Sequence, residues 1–179
     1  MREPTIARNY AEALIELARK DDALPRWGEL IDGVAEAMQA DRKLYVFLES
    51  PRVSGAEKNR ILAAALEGGV PVTFLRFLQT LVRNRRQMLI PEVAVQYHAL
   101  LDEIENRIHA SVTVAHETDG GAKKEIAQRL SKIVGKEVVP HFFVNPAIIG
   151  GVVVRVGDTV MDGSVRRRLA KLKGQMLGR

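Results

Sequence analysis

Four histidines, one serine, a glycine pair and a run of arginines are the residues here whose types could do chemistry. His98, His109, His116 and His141 carry imidazoles, which can ligate a metal or move a proton. They are scattered, with no carboxylate or second histidine at metal-ligand spacing, so each reads as a surface or hydrogen-bonded histidine. Gly135 and Lys136 lack the upstream glycine and the following Ser or Thr of a phosphate-cradling loop, and read as a helix stop. Gly150 and Gly151 with Gly157 do not make G-x-G-x-x-G. They open a strand, where glycine allows close backbone approach or a bulge. Ser164 has no G-x-S-x-G frame and reads as a helix cap. No catalytic residue, metal site or cofactor is expected from these patterns. Arg166, Arg167 and Arg168 with Lys171 and Lys173 could meet phosphates. Only 5% of residues are aromatic and none interleaves with these charges, which weakens a base-stacking role. Two readings remain for this basic end. One is a solvated face. The other is a docking face for an acidic helical partner, because Val165, Leu169 and Leu172 leave an amphipathic edge.

Those residues need elements to hold them. At 179 residues the chain is one large domain or two small ones, and 46% hydrophobic content is enough for a real core. The absence of cysteine excludes a disulfide framework, a thiolate zinc site and a cysteine nucleophile. Net charge is +5, and from Val165 to Arg179 there are six basic residues and no acidic one. That patch favours an acidic partner. No stretch reaches the roughly 20 apolar residues that span a bilayer. The N-terminus lacks a signal-peptide core, and Glu12, Glu16, Asp21 and Asp22 are wrong for a transit peptide. The expectation is a soluble chain that is not exported.

Helical periodicity runs through the first hundred residues. Ile6, Tyr10, Leu14 and Leu17, with Ala13, form a stripe on a first helix, and Ala7, Ala11 and Ala18 keep its other faces slim. Trp27, Leu30, Ile31, Val34 and Met38 mark a second helix, with Trp27 as a core anchor. Residues 43–48 form a short third, stopped at Ser50 and Pro51. Ser54 to Glu57 fits a capping box for a fourth. Val72 to Val82 is apolar nearly all round, so it is either fully buried or docked to a partner on one side. Pro91 opens a long helix with Val93, Tyr97, Leu100, Leu101, Ile104 and Ile108 inside. After that the period changes. Ala110, Val112 and Val114 alternate with Ser111 and Thr113, which is a strand. Asp119, Gly120 and Gly121 read as a turn, Ile126 to Val134 as a helix, and Val138 to Val144 as a strand whose Pro140 argues for an edge or a bulge. Gly150 to Val156 reads as a strand covered on both faces. Gly157 and Asp158 turn the chain into a second short strand, and Asp162 or Ser164 caps a basic helix. The expected fold is α+β in two domains: a six-helix bundle over residues 1–107, then a small mixed α/β domain over 108–179.

Two stretches resemble a known family. The run from Gly150 through Gly151, Val152, Val153, Val154, Arg155, Val156 and Gly157 to Asp158 resembles the signature of the ATP synthase delta subunit and oligomycin sensitivity conferral protein family. Its continuation, Val160 to Leu169, fits that family's D-G-S-[VIL]-[RK]-x-[RK]-[LI] segment through Asp162, Gly163, Ser164, Val165 and Arg166. Ile6 to Leu14 is similar to the family's A-x-x-Y-A-x-A-[LI] opening, with Asn9 where proline is frequent.

The resemblance implies a non-catalytic peripheral-stalk subunit of F-type ATP synthase, on the cytoplasmic face of a bacterial cell membrane. It implies that residues 1–107 cap the catalytic alpha/beta head and receive an alpha-subunit N-terminal helix between the first and fifth helices, at Ala7, Ala11, Leu14, Phe74, Phe77, Leu78 and Leu81. It implies that residues 108–179 bind the b subunits of the stalk, with Val165, Arg166, Leu169 and Leu172 as the docking face. Gly150, Gly151, Gly157, Asp158, Asp162, Gly163 and Ser164 become structural positions. The alternative from composition is a nucleic-acid-binding adaptor using the C-terminal Arg/Lys helix.

Overall fold

The computed structural model describes residues 3–66 and 68–176, and the chain divides into two compact units, one up to Leu101 and one from Asp102. Among the described residues six helices precede the first strand: α1 (Glu3–Lys20), α2 (Leu24–Ala40), α3 (Arg42–Glu49), α4 (Gly55–Leu66), α5 (Val72–Arg83) and α6 (Ile90–Ile104), the last entered through a 3-10 turn at Gln87–Leu89. Then come β1 (Arg107–Val114), α7 (Gly120–Val134), β2 (Glu137–Val144), a 3-10 turn at Pro146–Ile148, β3 (Val152–Val156), β4 (Thr159–Asp162) and α8 (Val165–Met176). The class is α+β.

In the first unit the alanine face of α1 turns inward. Ala7, Ala11, Leu14, Ile15 and Ala18 are buried, while Ile6, Tyr10 and Leu17 are half-buried and Ala13 is exposed. The slim face therefore belongs to the core: small side chains let neighbouring helices of the same bundle come close. Trp27 is fully buried and meets Phe74 edge to face at 5.6 Å. That arrangement suits the ring quadrupoles. Helix α5 buries Phe74, Phe77, Leu78, Leu81 and Val82, but Val72, Thr73 and Arg76 lie at or near the surface. Its apolar surface is one broad face, not the whole circumference.

Local signals place the helix ends. The Asp41 carboxylate accepts from Lys43 N at 2.7 Å and begins α3. Ser54 Oγ accepts from Glu57 N at 3.2 Å and begins α4, while the Glu57 carboxylate pairs with Arg60. The end of α3 is held by two side chains that sequence patterning passes over. Lys58 Nζ donates to Leu48 O at 2.7 Å and Ser50 O at 2.9 Å, and Gln87 Nε2 donates to Leu48 O at 2.7 Å. Both residues are buried. They satisfy carbonyls that a helix end leaves without intrahelical donors. Tyr97 similarly donates to Leu24 O at 2.7 Å, and burial pushes its hydroxyl up to about 12.

In the second unit the sheet order is β2-β1-β3-β4. β1 pairs parallel with β2 through α7, and antiparallel with β3; β3 and β4 form a hairpin. β2 is an edge strand, which is where Pro140 can sit without removing a needed donor. Ala110, Val112, Val114, Val138 and Val154 face inward with Leu130 of α7, and Ile126 and Val134 pack beside them. The opposite sheet face carries His109, Ser111, His141, Phe143, Arg155 and Val160, all exposed. Strand β3 is therefore covered on one face, not two, and Arg155 on its outer side is the visible reason.

Two further expectations shift by a few residues. α6 ends at Ile104, so Ile108 belongs to β1. Gly120 and Gly121 begin α7 instead of forming a turn, because Asp119 Oδ1 accepts from Ala122 N at 2.7 Å and caps the helix. At its other end Gly135 takes φ +73, the left-handed conformation that stops a helix.

Lys58→Met keeps the apolar stem and removes the donors, leaving Ser50 O without its partner. The expected loss is about 1 kcal/mol of unfolding free energy, the net worth of a hydrogen bond to a part-buried acceptor. Urea denaturation reads it, and an unchanged midpoint and slope would contradict the role.

Candidate docking surfaces

The residues predicted to carry function fall in two places, one in each unit. In the first unit α1 and α5 run antiparallel and are fastened side to side. Asp21 accepts from Thr73 at 3.5 Å, Tyr10 meets Phe77 edge to face at 6.3 Å, and Asn84 Nδ2 donates to the Tyr10 hydroxyl at 3.0 Å. Ala7, Ala11, Leu14, Phe74, Phe77, Leu78 and Leu81 all lie under this seam and are buried, Phe77 at 7% exposure and the others at 0%. They form its floor. What the seam offers to the outside is Tyr10, Ala13, Leu17, Thr73 and Asn84, half-buried or exposed.

In the second unit the glycine pair and the Asp162–Ser164 segment make one clasp. Gly163 N donates to Val152 O and Val165 N donates to Gly150 O, both at 2.9 Å. The two loops cross so closely that a Cβ on Gly151 would stand 2.5 Å from Gly163 O, and Gly151 also has φ +79. A Cβ on Gly150 would meet Val165 Cγ2 at 3.1 Å, and one on Gly163 would meet Val152 O at 3.1 Å. Glycine at 151 is thus a packing and a conformational requirement, and glycine at 150 and 163 keeps two tight contacts free of further crowding. Gly157, at φ +55, makes the β3–β4 turn with Asp158, which is exposed.

The clasp also starts α8. Ser164 is buried, and its Oγ accepts from Arg167 N at 3.1 Å; the Asp162 carboxylate accepts from Ser164 N at 2.9 Å. Both residues expected as caps take part, one on the helix and one behind it. Hydrogen bonds from Ser164 hold the Asp162 carboxyl below the usual carboxylate range, with Arg167 and Arg166 adding to the effect. From this anchor α8 projects with no buried residue. Val165 is half-buried against Gly150, whereas Leu169 is 52% exposed, Leu172 55% and Met176 87%, with Arg166 exposed beside them.

Three of the histidines have close partners that their spacing does not suggest. His98 pairs with Asp32 at 2.8 Å. His109 Nδ1 meets His141 Nε2 at 2.9 Å, and His109 Nε2 meets Asp102 Oδ2 at 3.0 Å. Spacing along the chain hides this row, because 32 residues separate the two rings and only the parallel β1–β2 register joins them. Among the described residues no group of three or more His, Cys, Asp or Glu is arranged to hold a metal ion. No described helix is long and apolar enough to cross a membrane.

Comparison with known proteins gives a consistent result. The family profile described as "ATP synthase delta (OSCP) subunit" matches residues 6–176. A protein of Gemmatimonas aurantiaca named ATP synthase subunit delta is 57% identical over 174 residues, covering 97% of this chain and 94% of that protein. One of the same name from Desulforamulus reducens is 39% identical over 174 residues, covering 97% and 96%. Among solved structures, a chain in the cryo-EM structure of the Toxoplasma gondii mitochondrial ATP synthase hexamer shares the fold, with TM-score 0.60 and 24% identity over 96% of this chain and 97% of that one.

Gly151→Ala is expected to disorder the clasp. Circular dichroism and thermal melting of the full chain should show lower stability by about 1–3 kcal/mol for the strained conformation alone, and more once the 2.5 Å overlap is relieved by backbone movement. Gly33→Ala is the control, since nothing lies within 4 Å of where a Cβ on Gly33 would stand. Equal stability of the two variants would overturn the reading.

Proposed function

The chain belongs to the ATP synthase delta (OSCP) subunit family, and from that premise we propose that its two units are the two holding ends of a static link within the synthase. It is a structural, non-catalytic component of the peripheral stalk of F-type ATP synthase. The unit up to Leu101 docks on the alpha/beta head, and an alpha-subunit N-terminal helix lies along the α1–α5 seam. The side chains that meet it are Tyr10, Ala13, Leu17, Thr73 and Asn84, over a floor set by Ala7, Ala11, Leu14, Phe74, Phe77, Leu78 and Leu81. The unit from Asp102 holds the b subunits of the stalk, with Val165, Arg166, Leu169 and Leu172 as the contact. The complex works at the cytoplasmic face of a bacterial cell membrane, in keeping with the bacterial sources of the relatives above.

The observation that carries this reading is α8: a helix fixed at one end by the clasp, with large apolar side chains left in solvent. A stable chain gains nothing from such exposure by itself, because burying each large apolar side chain is worth roughly 1.5–3 kcal/mol. A partner helix laid on the stripe recovers that energy, in the helix-on-helix mode of recognition. Slow dissociation is what a member under steady rotor torque requires, and buried apolar contacts chiefly lower the off-rate. The nucleic-acid alternative has no support from the family to which the chain belongs.

Affinity purification of the tagged full chain from detergent-solubilised membranes of its source cell tests both ends. Alpha, beta and b subunits are expected together. A chain ending at Gly163 should still retrieve alpha and beta while losing most of the b subunit. Recovery of neither alpha nor beta with the full chain would contradict the assignment to the head.

A further inference from the structure

We propose that His109 and His141 form a two-imidazole chelate for a divalent transition-metal ion, copper(II) or nickel(II) before others, on the outer face of the second unit's sheet. The proposal lies beyond the stalk function and does not depend on it. It starts from a row of polar atoms across β1 and β2. His109 Nδ1 and His141 Nε2 face one another at 2.9 Å, and His109 Nε2 meets Asp102 Oδ2 at 3.0 Å. The ring centroids lie 5.1 Å apart, with their planes inclined by 25°. Both imidazoles are exposed, so water can fill the other coordination positions of an ion held between them.

Asp102 decides which nitrogen is free. A carboxylate only accepts, so His109 carries its proton on Nε2 and donates it to Asp102. Nδ1 of the same ring is then an acceptor, and the proton between the rings belongs to His141 Nε2. A histidine whose far N–H is held by a carboxylate is the common arrangement at metal centres, because the bond fixes the ring and raises the basicity of its free nitrogen. The backbone adds rigidity. β1 and β2 are paired neighbours with Ser111 opposite His141, which sets the two rings on adjacent strands and on one face. Asp102 comes from the last turn of α6. It sits on the far nitrogen and is not itself a ligand, so the site has two protein donors and not three.

The spacing suits one class of ion. With metal–nitrogen bonds of roughly 2.0–2.1 Å, nitrogens about 2.9 Å apart subtend a right angle at the ion, whereas a tetrahedral angle needs about 3.3 Å. Right-angled pairs belong to square-planar and tetragonal ions, copper(II) and nickel(II). Binding moves the inter-ring proton through water from His141 Nε2 to Nδ1 of the same ring. Both rings stay neutral, and a small turn of each aims its lone pair at the ion. The ion then ties the edge strand β2 to β1 and, through Asp102, to the end of α6. An ion bound only by the native arrangement stabilises it. The Asp–His pair also matches the orienting half of a catalytic triad. Here the group at the far nitrogen is a second imidazole and not a hydroxyl or thiol, so the row suits a metal and not a nucleophile.

The test titrates copper(II) chloride into the full chain after metals have been stripped with EDTA. One equivalent is expected to give an electron paramagnetic resonance spectrum coupled to two imidazole nitrogens. It should also raise the melting temperature, and EDTA should reverse the rise. His109→Ala and His141→Ala should each lose the two-nitrogen spectrum and the melting shift. Asp102→Ala keeps both donors and should weaken copper binding by roughly 10–100-fold, with both couplings present at saturation. His116→Ala, at an exposed histidine, should change nothing. The wild-type spectrum does not depend on how any variant folds. No bound copper, a spectrum with a single imidazole nitrogen, or a two-nitrogen spectrum that survives both His109→Ala and His141→Ala would overturn the proposal. So would a larger melting shift from zinc(II) than from nickel(II), which would contradict the right-angled geometry.

Discussion

Ala110, Val112, Val114, Leu130, Val138 and Val154 form the buried apolar cluster that holds the second unit together, and the smallness of that core is the constraint on which its behaviour depends. The first unit gathers Trp27, Phe74, Phe77, Tyr97 and many aliphatic side chains into a single core. The second has no comparable reserve, since small domains bury a smaller share of their surface. It therefore secures its most exposed element by backbone geometry. The clasp at Gly150, Gly151 and Gly163 replaces side-chain burial with hydrogen bonds at 2.9 Å and close backbone crossing. Helix α8 can then leave Leu169, Leu172 and Met176 in solvent.

The two surfaces differ in kind. The α1–α5 seam is already fastened by Tyr10, Phe77 and Asn84, so in the proposed function it is a shaped, preorganised face. Preorganisation saves the ordering cost of binding. The α8 stripe is the opposite: its first turn is charged against its own dipole, and its apolar side chains from Leu169 onward stay in solvent. In the proposed function both are of use, one surface for the head and one for the stalk, with turnover needed at neither.

Much of this is legible in the residues. Helical and strand periods give the order of elements, Pro140 marks an edge, and Ser164 and Asp162 mark the start of α8. The glycines of the signature stretch read as allowing close approach, and the distances to Gly163 O and Val165 Cγ2 supply the reason. Other features are not legible because they depend on contacts across the fold. Ala7 and Ala11 look the same in a sequence whether the helix that approaches them belongs to the same chain or to a partner; here it belongs to the same bundle. His109 and His141 meet only through the parallel register. Lys58 gives no signal at all, since nothing local says that a lysine will bury its ammonium on the last carbonyls of another helix.

The central claim is that α8 is a partner's binding surface anchored at its root. Hydrogen exchange read by mass spectrometry, on the free full chain and on the chain within the assembled synthase, tests it most directly. In the free chain the amides of 165–176 should exchange fast, as expected of a helix with few buried contacts. In the assembly they should slow by about a hundredfold or more, the change that about 2.7 kcal/mol of added protection produces, while buried α5 changes little. Exchange in α8 that is equally fast in both states would contradict the account.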